Sequence, residues 1–271
     1  MQTGFYSNTG GMVTQFNRLD VISNNLANLN TSGYKRDDVV IGDFMRLYQE
    51  ERDILPLDNN TREGSQFLNR SIVRVPHVVE EFTDHDVGAL QRTGNVFDMA
   101  LAEEGSYLGI LTPGGIRYTR DGSFVVNGEG ILTTKEGFPV LPAGYTEGGE
   151  LISVPIDREI SVTGQGEMYL LDKANLQANE YLNQVMVVRP ENVKYMVKEG
   201  NSMYRSYTEM AQLDGDNLVR QGYVEKSNVN AVREMTALIE TNRLVDMYQK
   251  AMDSHMNDMN SDAIEKLAAR A

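Results

Sequence analysis

The 271-residue chain contains no cysteine, which excludes disulfides and thiolate metal sites and leaves the redox compartment open. Histidine is nearly as scarce. His77, His85 and His255 are scattered with no metal-ligand spacing between any two, which argues against a metal or catalytic role. No apolar run approaches the roughly 18 to 20 residues that span a bilayer, so no transmembrane helix or membrane insertion is expected. The N-terminus lacks a basic segment followed by an apolar core, so no Sec-type signal peptide is expected. Basic residues are outnumbered by acidic ones, 25 against 39. The resulting net charge of -14 argues against nucleic acid, whose phosphates would be repelled.

What is present is a globular composition, 41% hydrophobic and 24% charged. The charge is unevenly spread. Residues 1–36 carry Arg18, Lys35 and Arg36 against Asp20, and residues 226–271 carry six basic and seven acidic side chains. Both ends are thus nearly neutral, and the segment between them holds the acidic excess. Ends that pack against copies of themselves avoid like-charge repulsion, whereas a solvated middle benefits from it.

Met12, Phe16, Leu19, Ile22, Leu26 and Leu29 recur at steps of 4, 3, 3, 4 and 3, which predicts an amphipathic helix over residues 8–30. Thr31-Ser32-Gly33 should end it, with Gly33 in a left-handed position. A second helix is predicted over 232–267, where Leu238, Val245, Met252 and Met259 stand seven apart. Met235, Tyr248, Met256 and Ala263 should widen that seam, with His255 beside it and Asn230 or Ser227 as N-cap. Between the helices, "SYLGIL", "IRYTR", "SFVV", "ILTT" and "FPVL" are separated by glycine-bearing turns, the pattern of antiparallel hairpins. Residues 37–92 are mixed: "VVIGDFMRLYQEE" suits strand or helix, "LPLDNNTREGSQ" reads as loop, and "RSIVRVPHVVEEF" reads as an extended edge strand.

The expected fold class is therefore α+β. Residues 1–36 and 226–271 form one discontinuous coiled-coil domain, 37–92 connect, and 93–225 form a central, mostly antiparallel β domain. No site for chemistry stands out. Asp214-Gly-Asp216 with Glu225 resembles a calcium loop but has Leu218 and Val219 where an oxygen ligand and a glycine belong. Gly164-Gln-Gly166 lacks the third glycine of a dinucleotide fingerprint. The pairs Glu80-Glu81 and Glu103-Glu104 point to opposite faces of a strand, unlike glycosidase carboxylates. No enzyme activity, catalytic residue, cofactor or metal is expected.

Three stretches carry a family resemblance: "SNNLANLNTSGYKR" at 23–36, residues 93–141 from "TGNVFDMALAEEGSYLGIL" to "GFPVL", and "GYVEKSNVNAVREMTALIETNRLVDMYQKAM" at 222–252. In that order they are similar to the flagellar rod and hook proteins of bacteria. The resemblance implies a coiled-coil inner domain of both terminal helices, lining an axial tube, with a β domain facing outward. The length fits rod types that retain a central β domain. Residues 37–92 match the distal rod protein poorly, and "EEGSYLGIL" departs from the common "GDGFF" pattern, which favours the proximal rod protein with the distal one as alternative.

The implied function is a helically polymerising subunit of the periplasmic drive shaft, exported by the flagellar type III apparatus. Its partners would be itself, other rod proteins, the export apparatus, and the peptidoglycan or bushing-ring surroundings. The expected subunit interface comprises Phe16, Leu19, Ile22, Asn24, Asn25, Leu26, Asn28, Leu29, Leu238, Val245, Met252, Met256 and Met259. Buried amides in such a seam fix register at a cost in stability. A soluble periplasmic carbohydrate- or peptidoglycan-binding protein is the alternative from another class, with Tyr107, Tyr118 and Phe124 as cleft candidates, although these read better as hairpin core or cross-strand pairs. Polymerisation by the ends predicts that removing either residues 1–36 or residues 226–271 abolishes assembly while the β domain stays folded and unfolds cooperatively, as followed by circular dichroism.

Overall fold

The computed structural model describes residues 2–43, 76–146, 148–155, 158–171 and 180–268. The loop expected at "LPLDNNTREGSQ" and the side chains of Met259 and Ala263 lie outside the described residues. The chain forms two compact units. The first comprises Met1–Leu26, Asp37–Phe82 and Ala231–Ala271, and the second Ala27–Arg36 with Thr83–Asn230.

In the first unit, helix α1 runs Gln2–Ala27 and helix α2 runs Ala231–Ala268. The α1 stripe continues to Leu29 in sequence, but the helix stops earlier. Asn28 turns the chain instead, its Oδ1 accepting from the Thr31 hydroxyl at 3.1 Å and its carbonyl from Thr31 N–H at 3.1 Å. The helices pair antiparallel: the Thr9 hydroxyl meets Met252 Sδ at 3.5 Å, and Asn25 Nδ2 meets Glu234 Oε2 at 3.4 Å. Between these, a Cβ at Gly11 would stand 2.5 Å from the Tyr248 ring, so glycine is what admits that ring. Strands β1 (Asp37–Asp43) and β2 (Pro76–Thr83) form a two-stranded ribbon, resolving the ambiguity at "VVIGD" in favour of strand. The Asn25 side chain holds β1 like a strand partner, accepting from Asp37 N–H at 3.0 Å and donating to its carbonyl at 2.8 Å.

The second unit begins with β3 (Leu90–Arg92), β4 (Met99–Leu101), β5 (Tyr107–Thr112), β6 (Gly115–Thr119), β7 (Phe124–Val126) and β8 (Leu132–Thr134). It continues with β9 (Glu159–Val162), β10 (Glu167–Leu171), β11 (Glu180–Gln184) and β12 (Val187–Pro190). After a 3-10 turn at Val193–Tyr195 come β13 (Met196–Glu199), β14 (Met203–Ser206), β15 (Met210–Gln212), β16 (Val219–Gln221) and β17 (Tyr223–Glu225). The largest sheet has the order β13-β14-β6-β5-β12-β15, and all of its pairings are antiparallel. "SYLGIL" and "IRYTR" become β5 and β6, joined across Thr112 and Gly115. "FPVL" forms only isolated bridges, Thr133 with Pro139 and Ile110 with Val140, because proline cannot donate to a ladder. One core gathers Met99, Leu108, Phe124, Leu132, Ile152 and Met168; a second gathers Tyr107, Leu141, Val188 and Tyr204.

The segment 27–36 belongs to this second unit, ten residues earlier than the boundary expected at 36. Gly33 shows why. Its φ is 66°, its N–H donates to the Glu225 carbonyl at 2.8 Å, and an added Cβ would lie 2.3 Å from Asp121 N. Gly94 has φ 76° with nothing near its would-be Cβ, and so isolates the conformational cost. Gly94→Ala should cost about 1 kcal/mol and Gly33→Ala about 3 kcal/mol or more, compared by urea unfolding.

Candidate functional site

Glu225 ends β17, and its carboxylate is enclosed on every side. Lys35 Nζ lies 2.6 Å from Oε1, and Gly88 N–H donates to the same oxygen at 2.7 Å. Arg120 Nε donates to Oε2 at 2.8 Å; its Nη2 lies 2.7 Å away but off hydrogen-bond geometry. Arg120 Nη1 donates to the carbonyls of Glu103 at 2.9 Å and Ser106 at 2.7 Å, and Lys35 Nζ to that of Asp86 at 2.6 Å. The side chains of Lys35, Arg120 and Glu225 are each 1% exposed. Burial pulls the Lys35 ammonium below the usual lysine range, Glu225 opposes this, and the Arg120 charge adds to it.

Around this triad the strands that lead out of α1 and into α2 are stitched together. Arg36 N–H donates to Asn228 Oδ1 at 2.7 Å, and Asn228 Nδ2 donates to the Asp84 carbonyl at 2.9 Å. Lys198 Nζ sits 3.6 Å above the Tyr34 ring and donates to the Lys35 carbonyl at 2.8 Å. Of the N-cap candidates, Asn230 immediately precedes α2, while Ser227 Oγ accepts from Val229 N–H. With every charge enclosed and bonded, the arrangement presents no nucleophile or proton donor to a substrate; it is a clasp.

Sequence reasoning does not bring these three residues together: Glu225 enters only as the end of a rejected calcium loop and Lys35 only in the charge balance, although each of the three lies inside one of the family-like stretches. The available signal was weak, since charged residues are rarely buried unless paired and the partners stand up to 190 positions apart.

The terminal helices distribute the expected interface residues over two faces. Ile22, Asn25 and Val245 are buried, and Leu19, Leu26, Leu238 and Met252 are half-buried. Asn28 and Leu29 are half-buried beyond the end of α1, and Asn24 is exposed. Phe16 and Met256 stand 42% and 49% exposed. On α2 the covered positions include Glu234, Leu238, Thr241, Val245, Tyr248, Met252 and His255, alternating steps of 4 and 3, with Ala237, Leu244 and Ala251 half-buried at their flank. Leu238, Val245 and Met252 thus occupy one seam position as expected. The other carries Glu234, Thr241, Tyr248 and His255, so Met235 and Met256 do not widen the seam. The register with α1 decides this: buried Asn25 meets Glu234, and Gly11 admits Tyr248.

The aromatic cleft candidates are core residues. Tyr107 and Phe124 are fully buried, and Tyr118 packs against the second core cluster. The Tyr107 hydroxyl lies 2.6 Å from His85 Nδ1, and burial raises its pKa.

Three segments match described protein families. Residues 5–35 match flagella basal body rod protein, 104–170 match flagellar hook protein FlgE/F/G D1 domain, and 220–265 match flagellar basal body rod FlgEFG protein C-terminal. The chain is 31% identical over 268 residues to the flagellar basal-body rod protein FlgF of Caulobacter vibrioides, covering 98% of both. It is 32% identical over 251 residues to FlgG of Buchnera aphidicola from Acyrthosiphon pisum, covering 92% of this chain and 93% of that one. FlgF of Rhizobium meliloti is 31% identical over 250 residues, covering 91% and 90%.

The clasp narrows the expectation that residues 1–36 can be removed without harm to the β domain, because Lys35 pairs with Glu225 inside that unit. Deleting 1–26 should leave its urea midpoint unchanged, whereas deleting 1–36 should lower it sharply. Lys35→Met alone should cost about 3 to 5 kcal/mol, the penalty for opening a buried ion pair.

Proposed function

The chain belongs to the flagellar basal-body rod protein family and is a structural subunit of the rod, and from that premise we propose that it polymerises through the outer faces of its terminal helices. Its place is the flagellar basal body, among other rod components. The observation that carries the proposal is the apolar surface left outside the helical seam. Val13 and Phe16 on α1, and Val232, Met235, Ile239, Met247 and Met256 on α2, are all strongly exposed. Those positions suit neighbouring subunits, whereas Ile22, Asn25, Leu238 and Val245 hold the helix pair within one chain. Methionine's flexible thioether fits inequivalent neighbours.

The finer reading is a non-enzymatic drive-shaft subunit that carries torque across the periplasm and leaves the cell by flagellar type III export. Export apparatus and peptidoglycan or bushing-ring surroundings are its proposed further contacts. Relatives bearing both rod-protein names match at nearly equal identity. The preference for the proximal type over the distal one therefore rests on residues 37–92 and the "EEGSYLGIL" departure. Helical seams resist twisting because each side chain sits in a hole of its partner.

Phe16→Glu and Met256→Glu should change monomer stability by no more than about 0.5 kcal/mol, being exposed. Each should abolish or strongly reduce swimming in soft agar. Full motility with both charges in place would overturn the proposal.

A further inference from the structure

β13 is the last strand of the six-stranded sheet; Tyr195 immediately precedes it and Tyr207 immediately follows its neighbour β14. Tyr195, Val197 and Tyr207 are 55%, 47% and 65% exposed. Val197 lies directly across from Arg205 on β14, and the Arg205 guanidinium carbon sits 5.0 Å from the centre of the Tyr207 ring. Glu199 is held by Arg117 Nε at 2.6 Å and reaches Arg205 only at 3.9 Å. The patch thus keeps surplus positive charge in a segment that is otherwise strongly acidic. Tyrosine and arginine together are the composition of an interface hot spot.

A complementary surface exists on the chain itself. β2 reads Val79-Glu80-Glu81-Phe82, all four exposed. Alternation places Glu80 and Phe82 on one face, while Val79, on the other, is the residue a Gly42 Cβ would strike. A two-stranded ribbon is marginal on its own and gains from being covered. We propose that the Tyr195–Val197–Arg205–Tyr207 face of one subunit receives the Glu80–Phe82 face of a second copy of this chain. Phe82 packs among the tyrosines and Glu80 pairs with Arg205. The two patches differ and lie in different units, so the contact is heterologous, the type that extends into an open helix rather than a closed dimer. The inference rests on the chain being a polymerising rod subunit.

The absence of cysteine makes the test clean. Full-length chains carrying Phe82→Cys or Tyr207→Cys, with different tags, are co-expressed in cells lacking the native copy, and basal bodies are oxidised. A disulfide joining the two tags is expected, at far higher yield than between two Phe82→Cys chains. Separately, Arg205→Glu and Glu80→Arg should each reduce swimming, and the two combined in one chain should restore it. Motile cells without the mixed disulfide would overturn the contact, as would failure of the combined reversal to restore swimming. Normal swimming in cells lacking the chain altogether would instead overturn the rod-subunit reading beneath it.

Discussion

The carboxylate of Glu225 is the point on which the β unit depends. It faces two basic side chains, Lys35 and Arg120, and a backbone N–H, all within 2.8 Å. Removing three charges from water costs several kcal/mol for each ion, and this arrangement recovers that cost through mutual attraction and a hydrogen-bond network that leaves out Arg120 Nη2. Glu103, Ser106 and Asp86 carbonyls supply what the carboxylate cannot. The interaction is therefore all-or-none. Its members come from the segment after α1, the turn after β6 and the strand before α2, so three regions far apart in the chain must arrive together.

That dependence gives the ends of the chain two different characters. Residues 28–36 and 225–230 are locked into the β unit by Gly33, Lys35, Arg36, Glu225 and Asn228. The helices beyond them meet through a seam that is half polar, with Asn25, Glu234 and Thr241 buried in it. Such a seam is a poor source of stability, because every buried amide and carboxylate must find a partner. It is a good source of register, since sliding the helices by one turn would strand those groups. Apolar residues that would have strengthened the pair, Phe16 and Met256 among them, face outward instead. Those outward residues are the surface proposed above for neighbouring subunits.

Much of this was legible in the residues. The 3- and 4-step stripes located both helices, and the glycine turns located the hairpins of β5 through β8. Asn25 illustrates the limit. An amide in a leucine stripe signals a polar contact, but nothing in the stretch "SNNLANLNTSGYKR" says that its partners are the backbone of Asp37 and the carboxylate of Glu234. Tyr107 and Phe124 illustrate another, since an aromatic in a hairpin reads better as core than as cleft, but only the layer placed over it buries it.

Local periodicity and turn chemistry, which act over a few residues, determined the helices, the hairpins and the division into a neutral pair of ends and an acidic middle. The three ordered stretches determined the family. Only the tertiary structure decided which charges would be buried, which helix face would be covered, and that residues 27–36 join the β unit. Those outcomes hang on contacts between residues far apart in the chain, such as Lys35 with Glu225 across 190 positions and Asn25 with Glu234 across 209. Burial is a property of what arrives from elsewhere in the chain, and spacing along the sequence carries no record of it.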